Sequence, residues 1–510
     1  MSGSILVGAG GDPLADVSLL LKRANRHGLV AGATGTGKTV TLQVLAEGFS
    51  RAGVPVFAAD IKGDLSGMSQ TWDASAPFKA RAELIGLTDY KNEATPVVYW
   101  DLYGEKGHAI RTTVSEMGPT LFARLMEVTD AQEGTLAIAF KMADEDGLML
   151  LDMKDLKAIL DYMAENDDAV SRKYGLVTKQ SIAALQRKIM QLDSAGADVF
   201  FGEPAIDLND FMRTDLSGRG IVNILAADKL VQNPTLYSTF LLWMLSELFE
   251  QLPEVGDMDK PKLVFFFDEA HLLFRDAPKA LLNTIEQVVR LIRSKGVGIY
   301  FVTQNPQDIP EAVLAQLGNR FQHALRAYTP NETKAVRIAA ESFRPNPRFK
   351  TEDMITELGV GEALVSTLDD KGIPTIVERT YIRPPLSQVG PCAPDARARV
   401  MSASPIGPRY DTAVDRESAF EILEKKAEAL EVQQAKLQPV EPKGRASSAA
   451  QEEETGGIGG FLGGIFGSTR GRNGRMRQGI AETAVKSMVR QASSTIGREL
   501  MRGLLGNLKR

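Results

Sequence analysis

The chain has 510 residues, of which 44% are hydrophobic and 24% charged, and its formal net charge is −6. This composition is that of an ordinary soluble globular protein with room for two or three domains. Its single cysteine, Cys392, excludes an intramolecular disulfide and a four-cysteine zinc site. The first residues lack the pattern of a secretory signal and no run of about 18 apolar residues is present, so we predict a cytoplasmic protein.

The segment from 27 to 53 predicts a strand, a glycine-rich turn and a helix with apolar residues at helical spacing. The turn fits the P-loop pattern G-x-x-x-x-G-K-S/T, and its residues are Gly32, Ala33, Thr34, Gly35, Thr36, Gly37, Lys38 and Thr39. In such a loop, backbone N–H groups surround phosphate oxygens. We therefore predict a nucleoside triphosphate site in which Lys38 reaches the β- and γ-phosphates and Thr39 ligates Mg²⁺.

The next predicted strand, 54–60, ends in the sequence AADIKGD at 58–64. Asp60 to Gly63 fits the D-x-x-G of a GTPase switch, but a GTPase also needs a guanine-reading N-K-x-D element, which this sequence lacks. We therefore interpret Asp60 as the end of a strand that flanks the P-loop strand. Lys62 and Asp64 are then available to couple the nucleotide state to a pore or to a neighbouring subunit.

A third strand is predicted at 96–102, and helical patterns dominate from about 115 to 250, interrupted by a strand at 219–230. Strands that alternate with helices indicate an α/β fold with a mainly parallel sheet. We predict an ATPase core in two parts, with a large all-α insertion between them. The core parts are 1–114 and 219–386, and the helical insertion is 115–218.

The segment KLVFFFDEAHLLF (262–274) predicts a buried central strand that ends in two acids. Asp268 is predicted to hold Mg²⁺, and Glu269 to accept a proton from the attacking water. This pair beside a P-loop favours hydrolysis over phosphoryl transfer to a metabolite. His271 is interpreted as a packing or coupling residue, because no second histidine lies at ligand spacing.

Two further candidates belong to the strand at 297–306 and the helix before it. Gln304, at the strand end, is either a sensor of the γ-phosphate and the attacking water or a strand-end cap. Arg293 is either an arginine finger that acts across a subunit interface or a cation favoured by the helix dipole. The rival candidates for the finger are Arg290, Lys295, Arg320 and Arg326.

The last part of the chain changes in character. Residues 387–477 predict a Pro- and Ser-rich linker, a charged helix and a partly disordered low-complexity segment. Residues 478–510 predict a basic amphipathic helix. The last 41 residues carry a net charge of +8, which leaves −14 for the rest. The tail therefore suits an anionic partner, nucleic acid or lipid, although a solvated tail or a helix that packs on a neighbouring subunit fits equally.

Four stretches together, NRHGLVAGATGTGKT, DIKGDLSG, FFFDEAHLLF and TQNPQDIP, resemble the HerA/FtsK-type P-loop ATPases, and more closely the YjgR-like branch of bacterial HerA-like helicases. The resemblance covers about residues 1–386. It implies a RecA-like core, a hexameric ring with nucleotide sites between subunits, and movement of duplex DNA through a pore. It also implies ATP and Mg²⁺ as ligands, Lys38, Thr39, Asp268, Glu269 and Gln304 as site residues, and Arg293 as a finger in trans.

Three functions remain open at this point. The first is an ATP-driven DNA translocase or helicase. The second is a motor that acts on protein, similar to the ATPases of secretion and conjugation, with the tail docked on a protein partner or an anionic membrane surface. The third is a nucleotide-dependent scaffold. The absence of a recognisable DNA-reading motif makes the helicase prediction weaker than the ATPase prediction.

Overall fold

The computed structural model describes residues 3–194, 196–256, 258–275 and 279–437. They form two compact units. The first comprises residues up to Val128, Leu151–Met153 and Ile189–Arg416, and the second comprises Thr129–Leu150, Lys154–Lys188 and the described residues from 417 onward. Among the described residues, no helix is long and apolar enough to cross a membrane.

A large sheet organises the first unit. The described residues contribute twelve strands, in the spatial order β2-β1-β12-β11-β10-β3-β9-β8-β4-β7-β5-β6. Their bounds are β1 Ser4–Gly10, β2 Ala15–Leu20, β3 Gly28–Ala31, β4 Val56–Asp60, β5 Val97–Asp101, β6 His108–Ala109, β7 Val222–Ala226, β8 Leu263–Phe267, β9 Val297–Thr303, β10 Asn319–Gln322, β11 Glu362–Ser366 and β12 Glu378–Ile382.

The helices alternate with these strands or form the second unit. Their bounds are α1 Lys38–Arg51, α2 Ala76–Leu84, α3 Val114–Leu125, α4 Asp130–Asp146, α5 Met153–Glu165, α6 Asp167–Tyr174, α7 Lys179–Ser194, α8 Pro234–Gln251, α9 His271–Phe274, α10 Lys279–Leu291, α11 Glu311–Leu314, α12 Pro330–Glu341, α13 Thr351–Glu357, α14 Pro394–Ser402 and α15 Ala419–Leu437.

The strands from β10 to β6 in this order are mutually parallel, whereas β10, β11, β12, β1 and β2 are joined by antiparallel pairings. The α/β class with a mainly parallel sheet is thereby confirmed. The carboxyl ends of β3, β9, β8 and β4 lie side by side at one edge of the sheet. Ligands of parallel α/β sheets bind at this edge. The loops that follow these four strands are therefore the place to look for a ligand site.

Both faces of the central strands are covered, which explains their continuous apolar runs. All five residues of β8 are buried. On one face Phe49 of α1 lies 5.9 Å from Tyr300 and 6.3 Å from Phe266, between ring centroids. On the other face Phe57 lies 5.3 Å from Phe265. Each such aromatic side chain stabilises the fold by roughly 1.5–3 kcal/mol relative to an exposed one.

The second unit is helical. It contains α4, α6, α15, nearly all of α5 and the first part of α7. The carboxylate of Asp155 accepts hydrogen bonds from Ser418 Oγ at 2.5 Å and from the Phe420 N–H at 2.9 Å, which fixes the start of α15. Its buried apolar residues include Leu136, Phe140, Leu156, Ile159, Leu160, Met163, Ile182 and Leu185. Helices α3 to α7 account for most of the described part of 115–218, the predicted insertion.

The residues after β12, where the sequence predicts a linker from residue 387, pack against α1 and the segment after β4. The buried Glu47 of α1 accepts the N–H groups of Leu386 and Ser387, both at 2.8 Å. Gln43, one turn earlier, donates to the Ser387 carbonyl at 3.1 Å. The Gly390 carbonyl accepts the Gly67 N–H at 3.0 Å. The charged helix predicted nearby is α15, and the basic helix predicted at 478–510 lies outside the described residues.

Candidate nucleotide-binding site

The P-loop joins β3 to α1 through backbone conformations that only glycine adopts easily. Gly32 has φ 152°, and a Cβ at this position would lie 2.5 Å from the His323 Cβ. Gly37 has φ 111° and precedes α1, whose first turn has no side-chain cap. The N–H groups at this helix end are therefore available to an anion, and the helix dipole favours negative charge there.

Lys38, the first residue of α1, turns back over its own loop. Its Nζ donates to the Gly32 carbonyl at 2.6 Å and to the Ala33 carbonyl at 3.1 Å. Burial lowers the pKa of Lys38, and the negative charges of Glu269 and Asp268 oppose that shift. The amine is therefore close enough to both acids to interact with their charges. Thr39 follows in the same helical turn.

Buried polar contacts hold the loop from behind. His323, directly after β10, places its Nε2 2.8 Å from the Thr41 Oγ1. Burial lowers the pKa of His323 from 6.5 to about 4, so the ring is neutral beside Lys38 at ordinary pH. The Gly361 N–H donates to the Thr36 carbonyl at 3.0 Å, and Arg81 Nη1 donates to the Gly361 carbonyl at 2.7 Å.

Glu269 follows β8 with a backbone φ of 47°, a left-handed value that is uncommon for a residue with a side chain. Its Oε1 accepts from Lys62 Nζ at 2.5 Å, and its Oε2 accepts from Gln304 Nε2 at 3.1 Å. Burial raises the pKa of the Glu269 carboxyl, but the hydrogen bonds from Lys62 and Gln304 outweigh burial and leave the pKa below its usual value. The carboxylate is thus ionised and fixed at both oxygens.

Two further acids stand beside it. Burial, together with the charge of Glu269, raises the pKa of Asp268 to about 6. Burial, together with the charge of Asp268, raises the pKa of Asp60 to about 7. Carboxylates whose ionisation is disfavoured in this way fit a divalent cation, because its charge would offset their repulsion.

The donor chemistry fits Mg²⁺ held jointly by the protein and a ligand. Asp268 and Thr39 offer oxygen atoms, which Mg²⁺ prefers. Among the described residues, no cluster of three His, Cys, Asp or Glu side chains could hold a metal by itself. Phosphate oxygens and water would therefore complete the coordination.

Arg293 is placed apart from this group. It is exposed, lies just before β9, and its carbonyl accepts a hydrogen bond from Asn25 Nδ2 at 3.3 Å, next to the start of β3. Lys38 follows the opposite end of β3, so Arg293 lies at the other edge of the sheet within the same chain. His271 Nδ1 lies 3.4 Å from Glu269 Oε2 but makes no hydrogen bond there.

The sequence matches the family of helicase HerA-like C-terminal domains over residues 9–510. The chain belongs to this HerA-like family. No curated protein matches it.

Solved structures with a similar fold include conjugation proteins. The bacterial conjugative coupling protein TrwB, unbound, is 15% identical, with 77% of this chain and 92% of that chain covered and a TM-score of 0.50. TrwB in complex with the non-hydrolysable GTP analogue GDPNP gives the same values. VirB4 of Thermoanaerobacter pseudethanolicus is 16% identical, with 78% and 98% covered and a TM-score of 0.47. At these identities the TrwB structures support the RecA-like fold of the HerA-like chain.

Sequence reasoning did not assign Lys62, His323 or Arg81 to the site. Lys62 stands in the AADIKGD stretch, but its partner Glu269 is 207 positions away, so no local pattern points to the pair. His323 is visible in the sequence only as a polar residue at the end of a strand that continues the parallel sheet. Once β10 is known to pair in parallel with β3, a polar residue at the end of β10 is expected near the P-loop, and this is the signal that could have identified His323.

Proposed function

We propose that this HerA-like chain hydrolyses ATP at the carboxyl ends of β3, β8, β9 and β4. The observation that carries the proposal is the Glu269 carboxylate, which is ionised, buried and held at both oxygens within reach of the charge of Lys38. A backbone as strained as that of Glu269 persists where the surrounding structure imposes it, and such residues cluster at functional sites.

Each residue takes one role. The N–H groups of the loop from Gly32 to Thr39 bind the phosphates, and Lys38 leaves its own loop carbonyls to pair with phosphate oxygens. Thr39 and Asp268 would hold Mg²⁺, which when bound neutralises phosphate charge and polarises the phosphoryl group. Glu269 accepts a proton from the attacking water. Gln304, hydrogen-bonded to Glu269, senses whether that water and the γ-phosphate are present.

Hydrolysis is proposed to move duplex DNA, with subunits arranged in a ring. Family membership supports this assignment, because the family is named for HerA helicases. In a ring, Arg293 of one subunit would approach the site of the next. This arrangement gives a reason for its position at the opposite edge from Lys38.

The test is the rate of nucleotide hydrolysis by the purified full chain with duplex DNA, with single-stranded DNA and without DNA. ATP and GTP are compared, since TrwB was captured with a GTP analogue. We expect ATP turnover that duplex DNA stimulates and that added salt weakens. Lys38→Ala should lose nucleotide binding, whereas Glu269→Gln should bind ATP and lower turnover by about 10²–10⁴-fold. Unchanged turnover in Glu269→Gln would contradict the assignment of the base.

A second candidate function is a motor that acts on protein, and the negative net charge of the chain outside its basic tail favours it. Outside the basic tail the chain carries a net charge of −14, which repels nucleic acid except where a local basic channel is formed. ATP turnover that no DNA stimulates would favour this candidate. In that case, deletion of residues 470–510 should abolish co-sedimentation with anionic vesicles or with the protein partner while hydrolysis by the remaining chain continues.

A further inference from the structure

The Glu269 carboxylate is held from both neighbouring strands. β8 lies between β9 and β4 in the sheet. Gln304, after β9, donates to one carboxylate oxygen at 3.1 Å, and Lys62, after β4, donates to the other at 2.5 Å. With one donor on each oxygen, the carboxylate cannot rotate about its last side-chain torsion without losing a hydrogen bond.

Lys62 is the stronger of the two holds. Both hydrogen bonds are charge-assisted because their acceptor is an ionised carboxylate, but only Lys62 adds a positive charge, and its bond is the shorter of the two, 2.5 Å against 3.1 Å. The Glu269 side chain is 7% exposed, whereas the Lys62 side chain is 47% exposed. The buried carboxylate therefore depends on a side chain that reaches it from the solvent side.

The turn that carries Lys62 is itself fixed. Asp60 Oδ1 accepts the Gly63 N–H at 2.8 Å, and Asp60 Oδ2 accepts the Leu65 N–H at 3.1 Å. Gly63 adopts φ 80°, which glycine permits without strain. The backbone on the C-terminal side of Lys62 is thus tied to the end of β4, and the side chain starts from a defined position.

We propose that Lys62 is a positioning residue that orients the Glu269 carboxylate towards the attacking water. This inference rests on the proposed ATP hydrolysis. Lys62 acts through Glu269 and not on the phosphates, because its amine is already engaged by the carboxylate. It differs in this from Lys38, whose amine donates to two carbonyls of its own loop.

The kinetic test replaces Lys62 by methionine, which keeps the length of the side chain and removes its charge. In the full chain with ATP and the most stimulating DNA, Lys62→Met should lower kcat by about 10–100-fold. KM, and the Kd for a non-hydrolysable ATP analogue, should change by less than about threefold, because ground-state binding is intact. Lys62→Arg should recover part of kcat, and in a Glu269→Gln chain Lys62→Met should cause no further loss.

Lys79→Met is the matched control. Lys79 is similarly exposed and pairs with the exposed Asp73 at 2.7 Å. Its kcat and Kd should equal those of the unmodified chain. A kcat of Lys62→Met that is unchanged or higher overturns the inference. A parallel loss of analogue affinity also overturns it, because Lys62 would then contact the phosphates directly.

Thermal unfolding of the nucleotide-free chain separates this inference from the proposed function. Lys62→Met leaves a buried carboxylate without its counter-charge and should lower Tm, and Glu269→Gln combined with it should restore part of the loss. The two shifts should therefore depart from additivity by about 1 °C or more. Additive Tm shifts would contradict a direct interaction between Lys62 and Glu269, even in a chain that hydrolyses ATP. An unmodified chain that hydrolyses no nucleotide but shows the coupling would refute the proposed function and, with it, the catalytic role of Lys62, while the interaction between Lys62 and Glu269 would stand.

Discussion

His27 shows how a single buried side chain links this fold to pH. Its Nδ1 accepts the Ile299 N–H at 3.0 Å, so the ring must be unprotonated at that atom. Burial lowers the pKa of His27 from 6.5 to about 4, and the positive charges of Arg293 and Arg26 act in the same direction. Protonation therefore removes a hydrogen bond at the point where the chain enters β3.

Acid is expected to destabilise the protein through this residue. The folded-state pKa lies below the unfolded-state pKa, so the unfolded chain binds more protons as the pH falls from 6.5 towards 4. The loss from His27 is about 2 kcal/mol at pH 5. His27→Asn, which removes the titrating ring, should lose less Tm than the unmodified chain between pH 7.5 and pH 5. Equal losses in both proteins would contradict this account.

At the scale of elements, α1 is tied to the segment that follows β12. Glu47 is 2% exposed and accepts three hydrogen bonds from that segment, two from backbone N–H groups and one from Ser387 Oγ. Burial raises the pKa of Glu47, and the hydrogen bonds and the charge of Arg383 oppose it. The helix that begins at Lys38 thus rests on a distant part of the chain as well as on the sheet.

Glu47→Ala should lower the free energy of unfolding by about 2–4 kcal/mol, because buried N–H groups lose their acceptor. Chemical denaturation, followed by the fluorescence of the buried Trp100 and Trp243, measures the change. Glu341→Ala is the control, since Glu341 is exposed and pairs with Arg337 one helical turn away. It should shift the free energy by less than about 0.5 kcal/mol. Equal effects of the two substitutions would refute the role of Glu47.

The sequence predicts the strands around the site well because their apolar runs are local. The run at 262–274 is nonetheless longer than β8, which ends at Phe267, because Glu269 adopts a left-handed conformation and α9 begins at His271. The antiparallel pairing of β1 with β12 could not be predicted, since it joins segments that lie far apart in the sequence. The linker predicted from residue 387 differs from the packed segment for the same reason: its partner, Glu47, is 340 positions away.

At the scale of the whole molecule, Arg293 and Lys38 mark opposite edges of one sheet. β9 alone spans about 20 Å between those edges. A ring in which each site takes Lys38 from one subunit and Arg293 from the next would unite them. The role of Arg293 stays a prediction, and it has a direct test.

Lys38→Ala and Arg293→Ala chains should each be inactive alone and should regain hydrolysis when co-expressed. A random equal mixture in a closed ring makes about a quarter of the sites complete, with an intact Lys38 from one subunit and an intact Arg293 from its neighbour. Steady-state ATP turnover of the co-purified mixture measures the recovery. A mixture that remains as inactive as its parents would exclude Arg293 as a finger in trans. The same design with Arg290→Ala tests the rival cation on α10.

At position 269, stability and the proposed catalytic role favour different residues, because the backbone there is left-handed. Asparagine or glycine would occupy that conformation with less strain, yet neither carries a carboxylate that reaches both Lys62 and Gln304. With Glu269 as the proposed base, a library selected for heat resistance alone should therefore accumulate inactive chains that carry a substitution at this position.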